Sequence, residues 1–370
     1  MNSRERTIAA IRLQKPDRVP LDGSFRGDDW SGLEQYFDTT DAEAIRQRLG
    51  LDLRHCIVGP SAEFADKATA SPWQIPDVGV GPSNLVHTRD NGWLEDECGI
   101  WRVPNSTGLY WHYSFHPLAE GSLQEVRGYT FPDARAAERY EQVGADVGRW
   151  KSEFICIADQ SNIFKTCWEL RGFDRYMMDL VLEPELVDML AERALEHRLA
   201  QSKQLIRRGI DMIRITGDIA MQTGMMLSPR LWRSVFKPRL KTWIQEIRRQ
   251  GEVYLAFHSD GNMEAIFADL VEIGFDAIHP IQPECMDVVE IKRRFGDQVC
   301  LHGTISCQET LPHGTAEDVS REVRERVACC GRNGGLILAP SNVVQPDVPV
   351  ENIVALYQTA QDLALNGSKE

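Results

Sequence analysis

The stretch V-Y-L-A-F-H-S-D-G-N-M-E-A-I-F-A-D-L-V-E-I-G-F-D-A-I-H-P-I-Q-P-E-C, residues 253–285, has the pattern of one β-α-β unit. The apolar run at residues 253–257 has the length and composition of a buried strand. A helical pattern with one apolar face follows and stops at Gly274. A second short strand is predicted at residues 277–281. The unit therefore predicts part of a parallel sheet or barrel.

Ionisable and polar side chains follow both strands of this unit. His258 and Asp260 end the first strand, and Gln282 and Glu284 end the second. Parallel barrels and sheets place their ligands at the carboxyl ends of the strands. We therefore expect the functional site at this edge.

The rest of the chain alternates strands and helices at similar spacing. A first helix, capped by Ser3, is predicted at residues 3–13. Strands are predicted at 54–58, 154–158, 212–216, 299–302 and 336–339. Further helices are predicted at 185–208, 229–249, 315–330 and 350–364. This alternation predicts an α/β fold, a distorted (β/α)8 TIM barrel formed by a single domain over residues 1–370. An open doubly wound sheet is the alternative, but no glycine-rich fingerprint follows the first strand.

Residues 60–130 are less regular and rich in Pro, Gly and Trp. Their aromatic and β-branched content predicts two or three antiparallel strands. We expect an irregular insertion that covers the site, with its tryptophans suggesting a substrate that has apolar or aromatic surface. A long helix is predicted from residue 131 to residue 150.

Composition excludes several classes of protein. A formal net charge of −14 argues against a nucleic-acid-binding surface. No stretch has the length and apolarity of a membrane span, and the N-terminus does not resemble a signal peptide. The nine cysteines lack regular spacing and are typical of reduced thiols in a cytoplasmic protein. The adjacent Cys329 and Cys330 are expected to serve packing.

Several strand-end residues are candidates for the site. We expect His258 at its centre, with Asp218, Asp260 and Glu284 as further catalytic candidates, and Asp159, Gln282 and Asn342 as substrate-binding candidates. Structural roles compete with this interpretation. Asp159, Asp218 and Asp260 could each cap a following helix, and His258 could be a core histidine with satisfied hydrogen bonds.

His258 could serve in one of two ways. His258 and Asp260 are two residues apart, so in an extended segment they point the same way and could form half of a metal site. Zinc prefers nitrogen and sulfur ligands, so Cys285 or Cys167 would strengthen such a site. Without a metal, the carboxylates would raise the pKa of His258 and make it a general acid. The pair Asp218 and Glu284 could also serve a glycosidase, although nothing in their spacing selects that reaction.

Six segments spread along the chain form a recognisable set of motifs. They are S-R-E-R-T-I-A-A-I-R-L-Q-K-P-D-R-V-P-L-D (3–22), E-L-R-G-F-D (169–174), H-S-D-G-N (258–262), P-I-Q-P-E-C-M-D (280–287), L-H-G-T-I-S-C-Q (301–308) and L-A-P-S-N-V-V-Q-P-D (338–347). In these motifs the sequence resembles the uroporphyrinogen decarboxylase superfamily, specifically its branch of corrinoid-linked methyltransferases. The similarity runs nearly end to end.

The resemblance implies a distorted (β/α)8 barrel and, in the methyltransferase branch, a zinc ion held by a His and two further ligands, usually Cys. His258 matches the first ligand position, whereas Asp260 and Asn342 stand at the other two. This departs from the thiol-activating pattern and resembles members that demethylate methyl ethers. The implied methyl acceptor is a corrinoid carried on a separate protein.

Three functions follow from the resemblance and the residues. The first is a methyltransferase, similar to O-demethylases, that moves a methyl group between a small methylated substrate and a corrinoid protein. The second is a decarboxylase of uroporphyrinogen or a smaller carboxylic acid, but in the region after Pro20 only Arg26 is available to bind such polyanions. The third is a non-catalytic binding barrel. A homodimer is compatible with each of them.

Overall fold

The computed structural model describes residues 1–25, 27–66, 68–70, 85–89, 92–104 and 111–363. In this part of the chain, no helix has both the length and the apolarity that a membrane crossing needs. The helices are α1 Ser3–Ile11, α2 Gly27–Phe37, α3 Ala42–Arg48, α4 Ala62–Ala65, α5 Leu123–Gly128, α6 Glu141–Trp150, α7 Ile163–Arg171, α8 Phe173–Leu182, α9 Pro184–Arg207, α10 Pro229–Val235, α11 Lys237–Gln250, α12 Glu264–Ile273, α13 Val288–Phe295, α14 Thr310–His313, α15 Ala316–Arg326 and α16 Val350–Asp362. The strands are β1 Leu53–His55, β2 Thr69–Ala70, β3 Leu85–Thr88, β4 Leu94–Glu95, β5 Trp101–Pro104, β6 Trp111–Phe115, β7 Ile155–Ser161, β8 Met212–Thr216, β9 Ala220–Met221, β10 Gly224–Met225, β11 Tyr254–His258, β12 Ala277–His279, β13 Cys300–His302 and β14 Leu336–Ile337.

Seven parallel strands form a curled sheet in the order β1-β7-β8-β11-β12-β13-β14. Leu21 pairs in parallel with Leu338, just beyond β14, and its carbonyl accepts a hydrogen bond of 2.8 Å from the amide of Asp52, just before β1. The segment around Leu21 therefore lies between the two edges of the sheet and joins them. The expected α/β barrel is confirmed, with a very short closing strand.

The carboxylate of Asp52 holds this closure together. It is fully buried and accepts hydrogen bonds from Arg6 at 2.7 Å, from Arg18 at 2.8 Å and from the backbone amide of Leu21 at 2.8 Å. Charged donors to a carboxylate give stronger hydrogen bonds than neutral donors do. Helix α1, the closing segment and β1 are thus fixed to one another by a single side chain.

The barrel interior has an apolar floor. The side chains that form it belong to one buried cluster: Ile11, Leu53, Ile155, Ile157, Met212, Ala256, Ala277, Cys300 and Ile337. Side chains alternate along a strand, so the next inward-facing positions lie one layer closer to the carboxyl ends. Those positions are polar, and they carry the candidate site.

The insertion differs from its expectation in two ways. It contains a five-stranded antiparallel sheet, β2-β3-β4-β5-β6, rather than two or three strands. In the described part it packs beside helix α7, where Tyr113 donates to Glu169 at 2.8 Å and the amide of Leu118 donates to the carbonyl of Leu170 at 2.9 Å. No residue of it is among the described residues that line the candidate site.

Several predicted helix boundaries were wrong. Asn2, not Ser3, caps α1. The helix expected from residue 131 begins only at Glu141, after a short 3-10 turn. The long helix expected at 229–249 is two helices, because Pro238 lacks the amide hydrogen that would continue α10 into α11. Helices α7 and α8 had not been predicted.

The closure makes a prediction about stability. Asp52→Asn should lower the free energy of unfolding by about 3 kcal/mol, because two arginines lose their buried counter-charge. Urea unfolding of both proteins would measure this. Glu290→Gln, which removes an exposed ion pair with Arg293, is the control and should change stability by less than about 0.5 kcal/mol. Equal effects of the two substitutions would contradict this role of Asp52.

Candidate functional site

A cavity of about 440 Å³ opens at the carboxyl ends of the barrel strands. Barrel enzymes place their active sites at this face. The cavity is lined by Lys165, Thr216, Gly217, Asp218, Ala220, Met221, Gln222, His258, Asp260, Gly261, Gln282, Cys307, Gln308, Ser341, Asn342, Val343 and Gln345. Residues that follow five strand ends therefore converge on one space.

His258, Asp218 and Asp260 meet in this cavity. The Nε2 atom of His258 lies 4.0 Å from Oδ1 of Asp218 and 3.8 Å from Oδ1 of Asp260. One potential ligand atom from each of the three residues lies within 4.8 Å of the others. This is the spacing of side chains that can share one metal ion.

Local hydrogen bonds hold the two carboxylates in place. The amide of Asp260 donates to Oδ1 of Asp218 at 2.9 Å, and the Nδ2 group of Asn342 donates to Oδ2 of Asp260. Gly261 follows with φ of +85°, and a Cβ there would lie 2.6 Å from the carbonyl oxygen of Met221. Only glycine fits this turn. Asp260 thus faces the cavity and does not cap α12, contrary to the alternative raised by the sequence.

The Nδ1 side of the His258 ring contacts another histidine. Nδ1 of His258 lies 2.7 Å from Nδ1 of His279, and the rings stack with centroids 4.9 Å apart. This contact leaves Nε2 facing the two carboxylates. His258 is buried, but its partners are side chains of the site, so it is not the core histidine of the structural alternative.

Electrostatics keep His258 neutral. Burial, followed by the positive charge of Arg214, lowers the pKa of His258 from 6.5 to about 4, and Asp218 opposes this only in part. The expectation that neighbouring carboxylates raise the pKa of His258 was therefore wrong, because desolvation of the charged form outweighs them. A neutral imidazole is a metal ligand, but it is a poor general acid.

The pKa of Asp260 is shifted in the opposite direction from that of His258. Burial and the negative charge of Asp218 raise the pKa of the Asp260 carboxyl well above its usual range. Its Oδ1 atom is buried without a hydrogen-bond partner among the described residues. A cation between Asp218 and Asp260 would relieve their repulsion and satisfy this oxygen.

A polar layer beneath the cavity continues from His258. His279 contacts His302 with ring centroids 4.4 Å apart, and the carboxylate of Asp22 lies 3.0 Å from Nε2 of His302 and 3.1 Å from Nε2 of His55. The pKa of Asp22 is well below its usual range, since the attraction of His55 and the hydrogen bond with His302 outweigh burial. Sequence reasoning missed this layer, although the inward positions of β1, β12 and β13 carry its three further histidines.

The other predicted site residues lie at different depths. Asp159 is paired with Arg214 by two hydrogen bonds of 2.8 Å in the layer below the cavity. Gln282 lines the cavity, and its Oε1 accepts from the amide of Gly261 at 2.9 Å. Glu284 accepts from Ser306 and is not among the described lining residues. Arg26 lies outside the described residues.

Cysteine is present at the cavity, but in a different place from that expected. Cys307 lines the wall, where it accepts from the amide of Asn342 at 3.3 Å. Neither Cys285 nor Cys167 is among the described lining residues. Burial raises the pKa of the Cys307 thiol to about 11, so it is protonated at neutral pH.

A comparison with known protein families now bears on this site. The family model described as uroporphyrinogen decarboxylase (URO-D) matches residues 147–363, which is more than half of the chain. The chain belongs to the uroporphyrinogen decarboxylase family. The matched region contains β7 to β14 and all three residues of the Asp218, His258 and Asp260 group.

Within this URO-D family, the chain is similar to proteins of two kinds. It is 25% identical over 189 residues to the methylcobamide:CoM methyltransferase MtaA of Methanosarcina barkeri, covering 51% of this chain and 52% of MtaA. The match therefore spans about half the length of that relative. The chain is also 22% identical over 256 residues to the uroporphyrinogen decarboxylase of Coxiella burnetii, covering 67% of this chain and 66% of the relative.

A solved structure, described as a methyltransferase from Methanosarcina mazei, has the same fold as this chain. The two superpose with a TM-score of 0.69 at 17% identity, covering 98% of this chain and 99% of the other. The resemblance to the methyltransferase branch that the sequence motifs indicated is confirmed by these matches.

The raised pKa of Asp260 makes a prediction about metal-free protein. Asp260→Asn should raise the melting temperature by a few degrees at pH 7, because a permanently neutral side chain escapes the penalty for ionisation. The gain should vanish below about pH 4, where the carboxyl is protonated in both states. Thermal unfolding after chelator treatment would measure it, with Asp297→Asn as an exposed control. A loss of stability at pH 7 would contradict the raised pKa.

The lowered pKa of His258 predicts a pH dependence of stability with the opposite sign. Its pKa is lowered in the folded state, so metal-free wild type should lose stability as pH falls from about 6.5 to about 4. His258→Asn should lose less over the same range, by roughly 3 kcal/mol at most. Urea unfolding at pH 7 and pH 4.5 would measure the difference. Equal acid sensitivity of the two proteins would refute the assignment.

Proposed function

We propose that this protein is a methyltransferase that moves a methyl group from a small methylated substrate to a corrinoid protein. The observation that carries the proposal is the convergence of His258, Asp218 and Asp260 in a cavity at the carboxyl face of the barrel. The similarity to MtaA supports the reaction class. The proposal assigns His258, Asp218 and Asp260 to catalysis, with Gln282 and Asn342 contributing to the cavity wall that receives the substrate.

The three side chains fit a divalent metal ion. They offer one neutral imidazole nitrogen and two carboxylate oxygens, and the orphaned Oδ1 of Asp260 lacks any other partner among the described residues. Zinc accepts nitrogen and carboxylate ligands, and oxygen-rich sets also suit harder cations. Asp218 replaces Asn342 as the third candidate ligand, since the amide of Asn342 donates to Asp260 instead.

The residues around the three ligands have supporting roles. A bound cation would supply Lewis-acid activation of the atom that carries the methyl group. His279 holds Nδ1 of His258, so that Nε2 is directed to the ligand position. Asn342 fixes the carboxylate of Asp260, and Asp260 in turn holds Asp218 through its backbone amide. The low pKa of His258 keeps its imidazole neutral at physiological pH.

The ligand set favours an oxygen- or nitrogen-bound methyl group over thiol chemistry. Sites that activate thiols use soft sulfur ligands, whereas the two acidic ligands here leave a less electron-rich centre with less affinity for sulfur. We therefore propose a methyl ether or a related small methylated molecule as methyl donor. A corrinoid protein would receive the methyl group at the cavity mouth.

A direct assay tests the reaction class. The purified protein would be incubated with a panel of small methoxylated compounds, with and without cob(I)alamin, and the formation of methylcobalamin would be followed by its absorbance. Corrinoid-dependent release of the demethylated product is the expected result. Carbon dioxide release from a carboxylic acid without any corrinoid requirement would support the decarboxylase alternative, which the similarity to the Coxiella enzyme keeps in view.

Substitution of the ligands gives a separate prediction. His258→Ala and Asp218→Asn should each lower bound metal at least 10-fold and reduce methyl transfer by 100-fold or more, because removal of a ligand destroys the centre. Metal content by elemental analysis and methylcobalamin formation would be measured. His112→Ala, which changes an exposed histidine, is the control. Full metal content with full activity in His258→Ala would place the reaction elsewhere. Metal binding without turnover of any substrate would favour a non-catalytic barrel.

A further inference from the structure

Lys165 is a cation in the cavity wall that the proposed metal chemistry does not use. It is half-buried and lies in the first turn of α7, where its backbone amide donates to the capping side chain of Asn162 at 2.7 Å. It is the one lysine or arginine among the described lining residues. No hydrogen bond or ion pair joins its ammonium to another described residue.

The position of Lys165 makes one side of the cavity positive. Its side chain lines the same cavity as Asp218, His258 and Asp260. The amino end of α7, which carries a partial positive charge, lies at the same place. The Lys165 side chain lies beside Gly217, where an added Cβ would be 2.8 Å from its Cβ and Cδ atoms, and Asp218 follows Gly217 directly. The cavity thus holds a cation close to its acidic, ligand-bearing group.

We propose that the substrate is a small monoanion whose carboxylate binds to Lys165 while its methylated atom lies against Asp218, His258 and Asp260. This inference rests on the proposed function and specifies its substrate class. A single unpaired ammonium matches a single carboxylate. A half-buried ammonium without a partner loses part of its hydration. A carboxylate ligand replaces the lost water contacts with a charge-assisted hydrogen bond.

The rest of the wall is suited to a polar molecule. The described lining residues include several amides and hydroxyls, and the Oγ1 atom of Thr216 and the Oε1 atom of Gln345 are buried without hydrogen-bond partners. Such atoms bind hydroxyl or amide groups of a ligand and penalise a purely apolar one. The expectation of an aromatic substrate surface, which came from the tryptophans at 60–130, gains no support from this wall.

Two other classes of methylated or acidic substrate fit less well. Quaternary ammonium groups are bound by cages of aromatic side chains, and the described lining residues include no aromatic ring other than the imidazole of His258. A porphyrinogen with many carboxylates needs several cations, whereas Lys165 is alone in the described wall. The volume of about 440 Å³ also suits a small ligand better than a tetrapyrrole.

A binding experiment tests the inference independently of turnover. Methoxyacetate and its neutral isostere methoxyacetamide would be titrated into metal-loaded protein by calorimetry or ligand-observed NMR. Wild type should bind the carboxylate about 10- to 100-fold more tightly than the amide, which is the range expected for a charge-assisted hydrogen bond. Lys165→Met should abolish this preference, and Lys165→Arg should retain most of it. Lys241→Met, an exposed lysine on α11, is the matched control and should leave it unchanged.

Three results would overturn the proposal. One is an equal affinity of wild type for methoxyacetate and methoxyacetamide. Another is a carboxylate preference that survives in Lys165→Met. The third is a preference that disappears from wild type on chelation, since the anion would then bind to the metal and not to Lys165. Failure of the methyl-transfer assay with a retained, Lys165-dependent carboxylate preference would refute the reaction class and leave the ligand class standing.

Discussion

The carboxylate of Asp52 connects two arginines of the N-terminal segment to the backbone of Leu21, and the parallel sheet closes at this point. Without this connection, β1 and β14 would be the free edges of an open sheet. The closing segment is too short to be held by a long ladder of backbone hydrogen bonds. Charge-assisted bonds from a buried carboxylate supply the missing constraint. The barrel therefore depends on the cluster of charged side chains around Asp52, at the short segment that closes it.

Closure and the candidate site are linked through one residue. Asp22 follows Leu21 directly, so the alternation of side chains turns it into the barrel while Leu21 packs outward. There Asp22 joins His55 and His302, and His302 packs against His279, which holds His258. The segment that completes the barrel also supplies the charge on which the polar layer under the site is built. An open doubly wound sheet would have no place for this layer.

Burial decides the chemistry of the site more than the number of its carboxylates does. His258 stands beside Asp218 and Asp260, yet its pKa is about 4, because desolvation and Arg214 disfavour the imidazolium. For a related reason, burial and the negative charge of Asp218 raise the pKa of the Asp260 carboxyl well above its usual range. A cation would match the preference of His258 and reverse that of Asp260, since it requires a neutral imidazole and charged carboxylates. This is the physical basis for the proposal that the group binds a metal.

The sequence by itself determined the fold class, the strand ends that face the cavity and the identity of His258, Asp218 and Asp260 as neighbours. These follow from local periodicity and from the rule that the carboxyl ends of parallel strands share one edge. The tertiary structure decided what depends on distance and burial. Glu284 turned to Ser306, Asp159 was paired with Arg214, the tryptophan-rich insertion packed beside α7, and the pKa of His258 fell instead of rising. Lys165 had no distinguishing signal in the sequence, because a lysine in a helical turn becomes part of a site only when folding places it beside a cavity. The histidine layer was visible only as single histidines at inward positions of separate strands, and folding alone brings them together.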